Sequence, residues 1–192
     1  STDWSTAGNW DIGTVPGAGT DVVIPSGTSN NCTTPTATNV YAKELTVASG
    51  ATFVVRNTAG GGTRLTVASD ITINGTLAQT GNANILLSGT SKAFTIGGSA
   101  TTTTGRFAIS GVYTLSADLT VTNMVIQGGA GLVVNANTLR TYNLTQTGTL
   151  TMTTGKLRVE GSTISMSSNL VQGTSHIYLG NSSGVSIYSG GP

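Results

Sequence analysis

Apolar residues alternate with polar ones at a spacing of two along nearly the whole chain. Leu45-Thr46-Val47, Phe53-Val54-Val55, Leu65-Thr66-Val67, Phe94-Thr95-Ile96 and Leu119-Thr120-Val121 are typical. A spacing of two puts the apolar side chains on one face of a strand, whereas a helix needs three or four. The runs are short, and Gly, Asn and Ser fall between them, so the pattern predicts many short strands joined by turns. The pattern also repeats from Leu119 to Ile187. Leu119, Leu144 and Leu170 align at intervals of 25 and 26 residues. Met124 then aligns with Leu150 and Ile177, Leu132 with Leu157 and Val185, Val134 with Val159 and Ile187, and Leu139 with Ile164.

A repeat of short strands at this period predicts a coil with one turn per repeat. The predicted fold class is all-β, a right-handed parallel β-helix (β-solenoid) of about seven turns with an N-terminal cap. Predicted turns begin at Val22, Leu45, Leu65, Phe94, Leu119, Leu144 and Leu170. At about 4.8 Å per turn the rod is roughly 30–35 Å long. The right-handed sense follows from the crossover rule for parallel strands. An antiparallel β-sandwich is the alternative, but it does not explain columns that align over three successive repeats. Residues 79–84 and 97–105 are the expected protruding loops. Gln146 and Gln172 replace Val121 in an apparently inward column, as an amide ladder or as the mark of a register shift.

Residues 1–35 differ from 36–192. Both Trp, Trp4 and Trp10, lie in this first segment, with Pro16, Pro25 and Pro35, three of the four prolines. It predicts a cap and first strand, the aromatics plugging the end of the core that a coil leaves exposed. No further proline occurs until Pro192, as expected where strands have neighbours on both sides. At the other end, Ile177, Val185 and Ile187 form a last turn without an evident cap. Trp4, Trp10, Ile177, Val185 and Ile187 are therefore the candidate assembly residues. An open end predicts self-association or further turns of the same chain.

Composition narrows the function classes. Charged residues are only 8% of the 192, and the net charge is +1, so neither nucleic acid nor membrane insertion is expected. The single Cys32 rules out an intramolecular disulfide, leaving an idle thiol or an intermolecular bridge. Low charge with abundant Thr and Asn suits a secreted protein, and a start at Ser1-Thr2-Asp3 suits a processed or excised chain.

The opening carries a resemblance. Trp4 and Trp10, then Val15-Pro16, then Asp21-Val22-Val23-Ile24-Pro25 and Gly27, look like the start of secreted bacterial β-helix modules. The LTV and GTL phrases resemble their body. Such modules occur in large surface adhesins and filamentous-haemagglutinin-like proteins of Bacteroidetes type. The resemblance implies an extracellular, cell-surface location and a structural or adhesive role, with a surface glycan as one partner. It supplies no catalytic residues. Modules of this kind sit in much longer chains, so this one is expected to be a fragment or a short building block.

Candidate chemistry is sparse. A glycan-cleaving β-helix needs clustered carboxylates, or basic residues beside Ca²⁺. Glu44, Asp70, Asp118 and Glu160 are scattered, although Asp70 and Asp118 each precede a strand and are expected on one corner. His176 is the only candidate base and reads as an outward side chain beside Ile177. Asp3, Asn9, Asp11 and Asp21 match no Ca²⁺ loop and read as turn caps. Thr46, Thr66, Thr95, Thr120 and Thr145 predict one outward Thr column, too narrow for a flat crystal-binding array. Gly60-Gly61-Gly62 lacks the Lys-Ser/Thr of a phosphate loop, and Asn31, Asn74, Asn143 and Asn181 open glycosylation sequons. The expected function is non-enzymatic, with no cofactor: a structural or adhesive protein that builds or decorates a bacterial surface, including as a fibre subunit. The alternatives are a carbohydrate-binding module using the two loops, or a degenerate carbohydrate-active enzyme.

Overall fold

The computed structural model describes residues 3–27, 31–57, 64–97 and 106–180, and the backbone of the strand Ser186–Ser189. It is an all-β parallel solenoid. Each of the first three turns lays strands on three faces in succession. The first turn runs through Val22–Ile24, Cys32–Thr33 and Val40–Ala42. The second runs through Leu45–Val47, Thr52–Arg56 and Arg64–Val67, and the third through Ile71–Ile73, Thr76–Thr80 and Asn84–Leu87. All three strands recur one turn later in the same direction, so every pairing among the described residues is parallel.

The first face is one sheet of eight strands in chain order, hence seven steps and about seven turns. The second face starts at Val40–Ala42 and continues through Arg64–Val67, Asn84–Leu87 and Arg106–Ile109. Cys32–Thr33, Thr52–Arg56 and Thr76–Thr80 make the third face near the N-terminus. Further along, Leu119–Ile126 and Thr138–Gln146 are long enough to turn the corner between faces. Their first halves take the third face's place in the turn, after the first-face strand, and pair Leu119 with Leu139, while their second halves continue the second face and pair Met124 with Leu144. Beyond them the faces separate again: Lys156–Val159 follows the first halves and Thr163–Met166 the second.

Inward side chains stack like on like. Val22, Leu45, Ile71, Phe94 and Leu115 form one such column on the first face. All five are at most 4% exposed. Each fully buried side chain of this kind contributes on the order of 1.5–3 kcal/mol before entropy. Across the interior, Phe94 and Phe107 stack with ring centroids 5.6 Å apart.

The architecture agrees with the sequence pattern, but the expected register does not. Leu144 pairs with Met124 and Ile164, not with Leu119 or Leu170. Leu150 lies between Leu132 and Leu170, while Leu157 lies between Leu139 and Ile177. Val159 pairs with Thr141 and Leu179, and Ile187 with Ile164. Leu65, Leu119 and Leu144 therefore do not begin first-face strands, although Val22, Leu45, Phe94 and Leu170 do lie on that face. The physical reason is that all three faces share one alternation. Leu119 to Leu144 is a full turn, Met124 to Leu144, plus the step within one strand from Leu119 to Met124. Apolar residues thus align at the wrong interval as well as at the right one.

Three dependent expectations change with the register. Thr46 and Thr95 share a first-face column through Thr72, but Thr66 and Thr145 are on the second face and Thr120 on the third. Gln146 lies inward on the second face beside Ile126, and Gln172 lies on the first face beside Met152, so they make no ladder. The outward amide pair is Asn143 with Asn123, Nδ2 to Oδ1 at 2.8 Å. Residues 79–84 form a corner rather than a loop: Gln79 and Ala83 are buried, and Gly81 turns with φ +62°. Of 97–105, residues 98–105 lie outside the described residues, as does Gly60-Gly61-Gly62.

Buried polar groups hold the corners. The Gln79 amide donates to the Ala83 and Arg106 carbonyls, at 3.2 and 3.4 Å. Tyr113 spans neighbouring turns: its hydroxyl lies 2.9 Å from the Ser69 carbonyl and accepts from the Gly89 amide at 2.9 Å. At the next corner, a Cβ on Gly111 would lie 1.8 Å from the Gly89 carbonyl oxygen.

Two variants test this packing. Gly111→Ala is expected to lower stability by about 1–3 kcal/mol by forcing turns apart, read as a lower urea midpoint at unchanged slope. Tyr113→Phe is expected to cost about 1–3 kcal/mol at neutral pH, because it strands buried partners. Burial raises the Tyr113 phenol above its ordinary value, so its contribution persists below the unfolded value and fades as pH rises through the folded one. Urea unfolding of both chains should show the difference narrowing above about pH 10.

Candidate functional site

The two ends of the coil are built differently. Asp3 makes a parallel bridge to Thr33, and the Trp4 amide donates to the Thr33 carbonyl at 2.8 Å, which lays the chain on the first turn. Trp4 is fully buried, tilted against Phe53 at 5.4 Å. Trp10 packs edge-on to Trp4 at 4.8 Å, and its indole N–H donates to the Trp4 carbonyl at 2.8 Å. The predicted cap is thus a pair of locked indoles over the core.

In the last turn of the described residues the inward side chains are less covered. Val159 is fully buried, but Leu179, its partner in the next turn, is 39% exposed. Ile177 and Leu170 are partly buried over fully buried Leu157 and Leu150. Ile187 contributes a backbone pairing to Ile164, and Val185 lies outside the described residues. Of the candidate assembly residues, Trp4 and Trp10 therefore meet at one end, and Ile177 and the Ile187 backbone stand at the other.

The correct register also gathers residues that look scattered in the sequence. Outward on the third face, Thr120, Arg140, Arg158 and Tyr178 form one column. Thr138, Lys156 and His176 form the column beside it. Glu160 bridges the arginines, 2.7 Å from Arg140 Nη2 and 3.8 Å from Arg158 Nε. The Arg158 guanidinium lies 5.8 Å from the Tyr178 ring centroid, and His176 stacks on Tyr178 at 6.2 Å. The hydrogen bond from Arg140 holds the Glu160 carboxyl below its ordinary value, so Glu160 is an ionised clamp. The missed signal was basic and aromatic residues at one-turn spacing, legible only with the right period.

Asp3, Asp70 and Asp118 serve the backbone instead of meeting one another. Asp70 Oδ1 accepts from the Ala93 amide and Asp118 Oδ1 from the Thr138 amide, both at 2.7 Å. They precede strands of different faces and so do not share the expected corner. Asp3 accepts from the Ser5 amide and hydroxyl, which lowers its carboxyl's affinity for a proton. Asp21 pairs with Lys43 at 3.2 Å. Among the described residues no three His, Cys, Asp or Glu converge as metal ligands. No helix there is long and apolar enough to cross a membrane.

Cys32 is partly buried beside Phe53, and desolvation pushes its thiol up to about 11. Thiolate is the reactive form, so alkylation by iodoacetamide at pH 8 is expected to be slow in the native state and fast in urea. Mass spectrometry of the alkylated chain against time checks this.

No curated protein and no solved structure matches the chain significantly. A family model described as a domain of unknown function, DUF8693, matches residues 1–104. That match runs from the indole cap through the first three turns and into the fourth, more than half of the 192 residues. The chain belongs to the DUF8693 family.

Proposed function

We propose that this chain is a non-enzymatic, extracellular β-solenoid that builds or decorates a bacterial cell-surface structure. The observation that carries this reading is the inequality of the two ends. One is closed by Trp4 and Trp10, and the other leaves inward Leu179 partly in water. Exposed inward side chains beside a strand edge favour another layer of parallel strands, whether from this chain or from a second copy. A closed end meeting an open one is a heterologous contact, and repetition of such a contact makes a fibre.

The acidic residues favour the non-enzymatic side. Asp3, Asp70 and Asp118 are engaged by backbone N–H groups, each in a structural task, and Glu160 is engaged by arginine. The extracellular setting is supported by the low charge and by the resemblance of the opening to secreted surface modules.

Electron microscopy of the purified protein tests the assembly. Fibres with an axial repeat near the rod length of roughly 30–35 Å are expected. Leu179→Asp should abolish them by placing a charge where the next layer docks, without changing the circular dichroism spectrum. Dispersed monomers at all concentrations would rule out self-assembly.

A further inference from the structure

The third face holds a second candidate surface, on the side of the coil rather than at its end. Its outward residues form a grid across three successive turns. The rows are Thr138 and Arg140, then Lys156 and Arg158, then His176 and Tyr178, with Tyr142 and Glu160 just beyond the row ends. Three of the chain's eight Lys and Arg stand in this grid, together with its one His. Arg140, Lys156, Arg158, Tyr142, His176 and Tyr178 are all exposed. Glu160 is the grid's only acid. Asp118, on the neighbouring turn, has one carboxylate oxygen occupied by the Thr138 amide.

The arrangement is preorganised. Glu160 holds the Arg140 guanidinium by a hydrogen bond and lies 3.8 Å from that of Arg158, which the Tyr178 ring also flanks. Lys156 makes no ion pair among the described residues. Arg140 and Arg158 stand one strand spacing apart, about 4.8 Å, a separation on the scale of one sugar unit along an extended chain. Tyr142 and Tyr178 offer ring surface to the apolar face of a pyranose, and guanidinium groups take carboxylates through paired N–H donors. A surface that is basic and aromatic, on a chain of net charge only +1, fits an anionic chain held at short range.

We propose that the grid of Arg140, Lys156, Arg158, His176 and Tyr178 binds a linear acidic polysaccharide running along the coil axis, its uronate carboxylates on the cations and its sugar faces on the tyrosine. This site gives the surface protein a glycan ligand, and binding does not require the coil to assemble.

The test is affinity electrophoresis of the full chain through gels containing polygalacturonate, with dextran as the neutral control and single-stranded DNA as the alternative polyanion. Retardation by polygalacturonate and not by dextran is expected, weakening as salt rises. Lys156→Gln with Arg158→Gln should weaken it about tenfold, and Tyr178→Ala severalfold, with unchanged circular dichroism. Lys43→Gln with Arg64→Gln, basic positions elsewhere on the coil, should leave it unchanged. No retardation overturns the proposal, as does equal retardation by dextran, by DNA, or in the Lys156/Arg158 double variant. Monomers that bind would refute assembly and leave the glycan site standing. Fibres that do not bind would do the reverse.

Discussion

One constraint governs this molecule: every turn must return its strands to register with the turn before. Parallel pairing satisfies the backbone groups of each strand from both sides, and the corners are paired as well. Ala48 N–H donates to Ile24, Ser88 to Val67 and Ser110 to Leu87. Unpaired backbone groups would be costly at this density. Register also decides the interior, because it puts each inward side chain against its counterpart one turn away. The chain can lengthen a turn only at a corner. Val22 to Leu45 takes 23 residues and Leu132 to Leu150 takes 18, yet both are one step on the same face.

The corners absorb most of the polar chemistry. Glycine is needed where one turn's backbone lies against the carbonyl of another, as at Gly111 over Gly89. Glutamine at 79 and 146 reaches corner carbonyls from inside, and aspartate at 70 and 118 accepts from the next turn's first amides. Tyr113 ties Ser69 and Gly89 through one hydroxyl. These residues resemble candidate chemistry when met in a sequence. In the fold each is hydrogen-bonded to the backbone, so they are parts of the scaffold.

The same constraint explains what could be foreseen. Period-two alternation, the long stretch without proline and the early indoles each report a local property of a capped parallel coil. Together they were enough for the fold class and for the burial of Trp4. Register is not local. Leu119, Met124, Leu139 and Leu144 are all inward, and nothing in their identity says which of them stack. The interval of 25 residues satisfied hydrophobicity while rotating the comparison by part of a turn. Every outward column built on it then mixed faces, which scattered the threonines and hid the basic grid. Arg140 and Arg158 are 18 residues apart, and become neighbours only when Leu139 is placed against Leu157.

Outward positions are where such a fold has freedom. An outward strand residue needs only to tolerate an extended backbone, and the first face uses neutral side chains there. Val23, Thr46, Thr72 and Thr95 run in one column, and Thr114, Val133, Thr151 and Val171 in another. Nothing in the packing requires the third face to differ. It nevertheless places Arg140 and Arg158 in adjacent turns, where like charges repel. Glu160 reduces that repulsion by bridging them, and exposed ion pairs of this kind add little stability. Folding therefore gains little from the cluster, and a neutral Thr column would serve the coil as well. A concentration of charge that the scaffold does not need, in a chain otherwise so poor in charge, is the ground for proposing a ligand on this face.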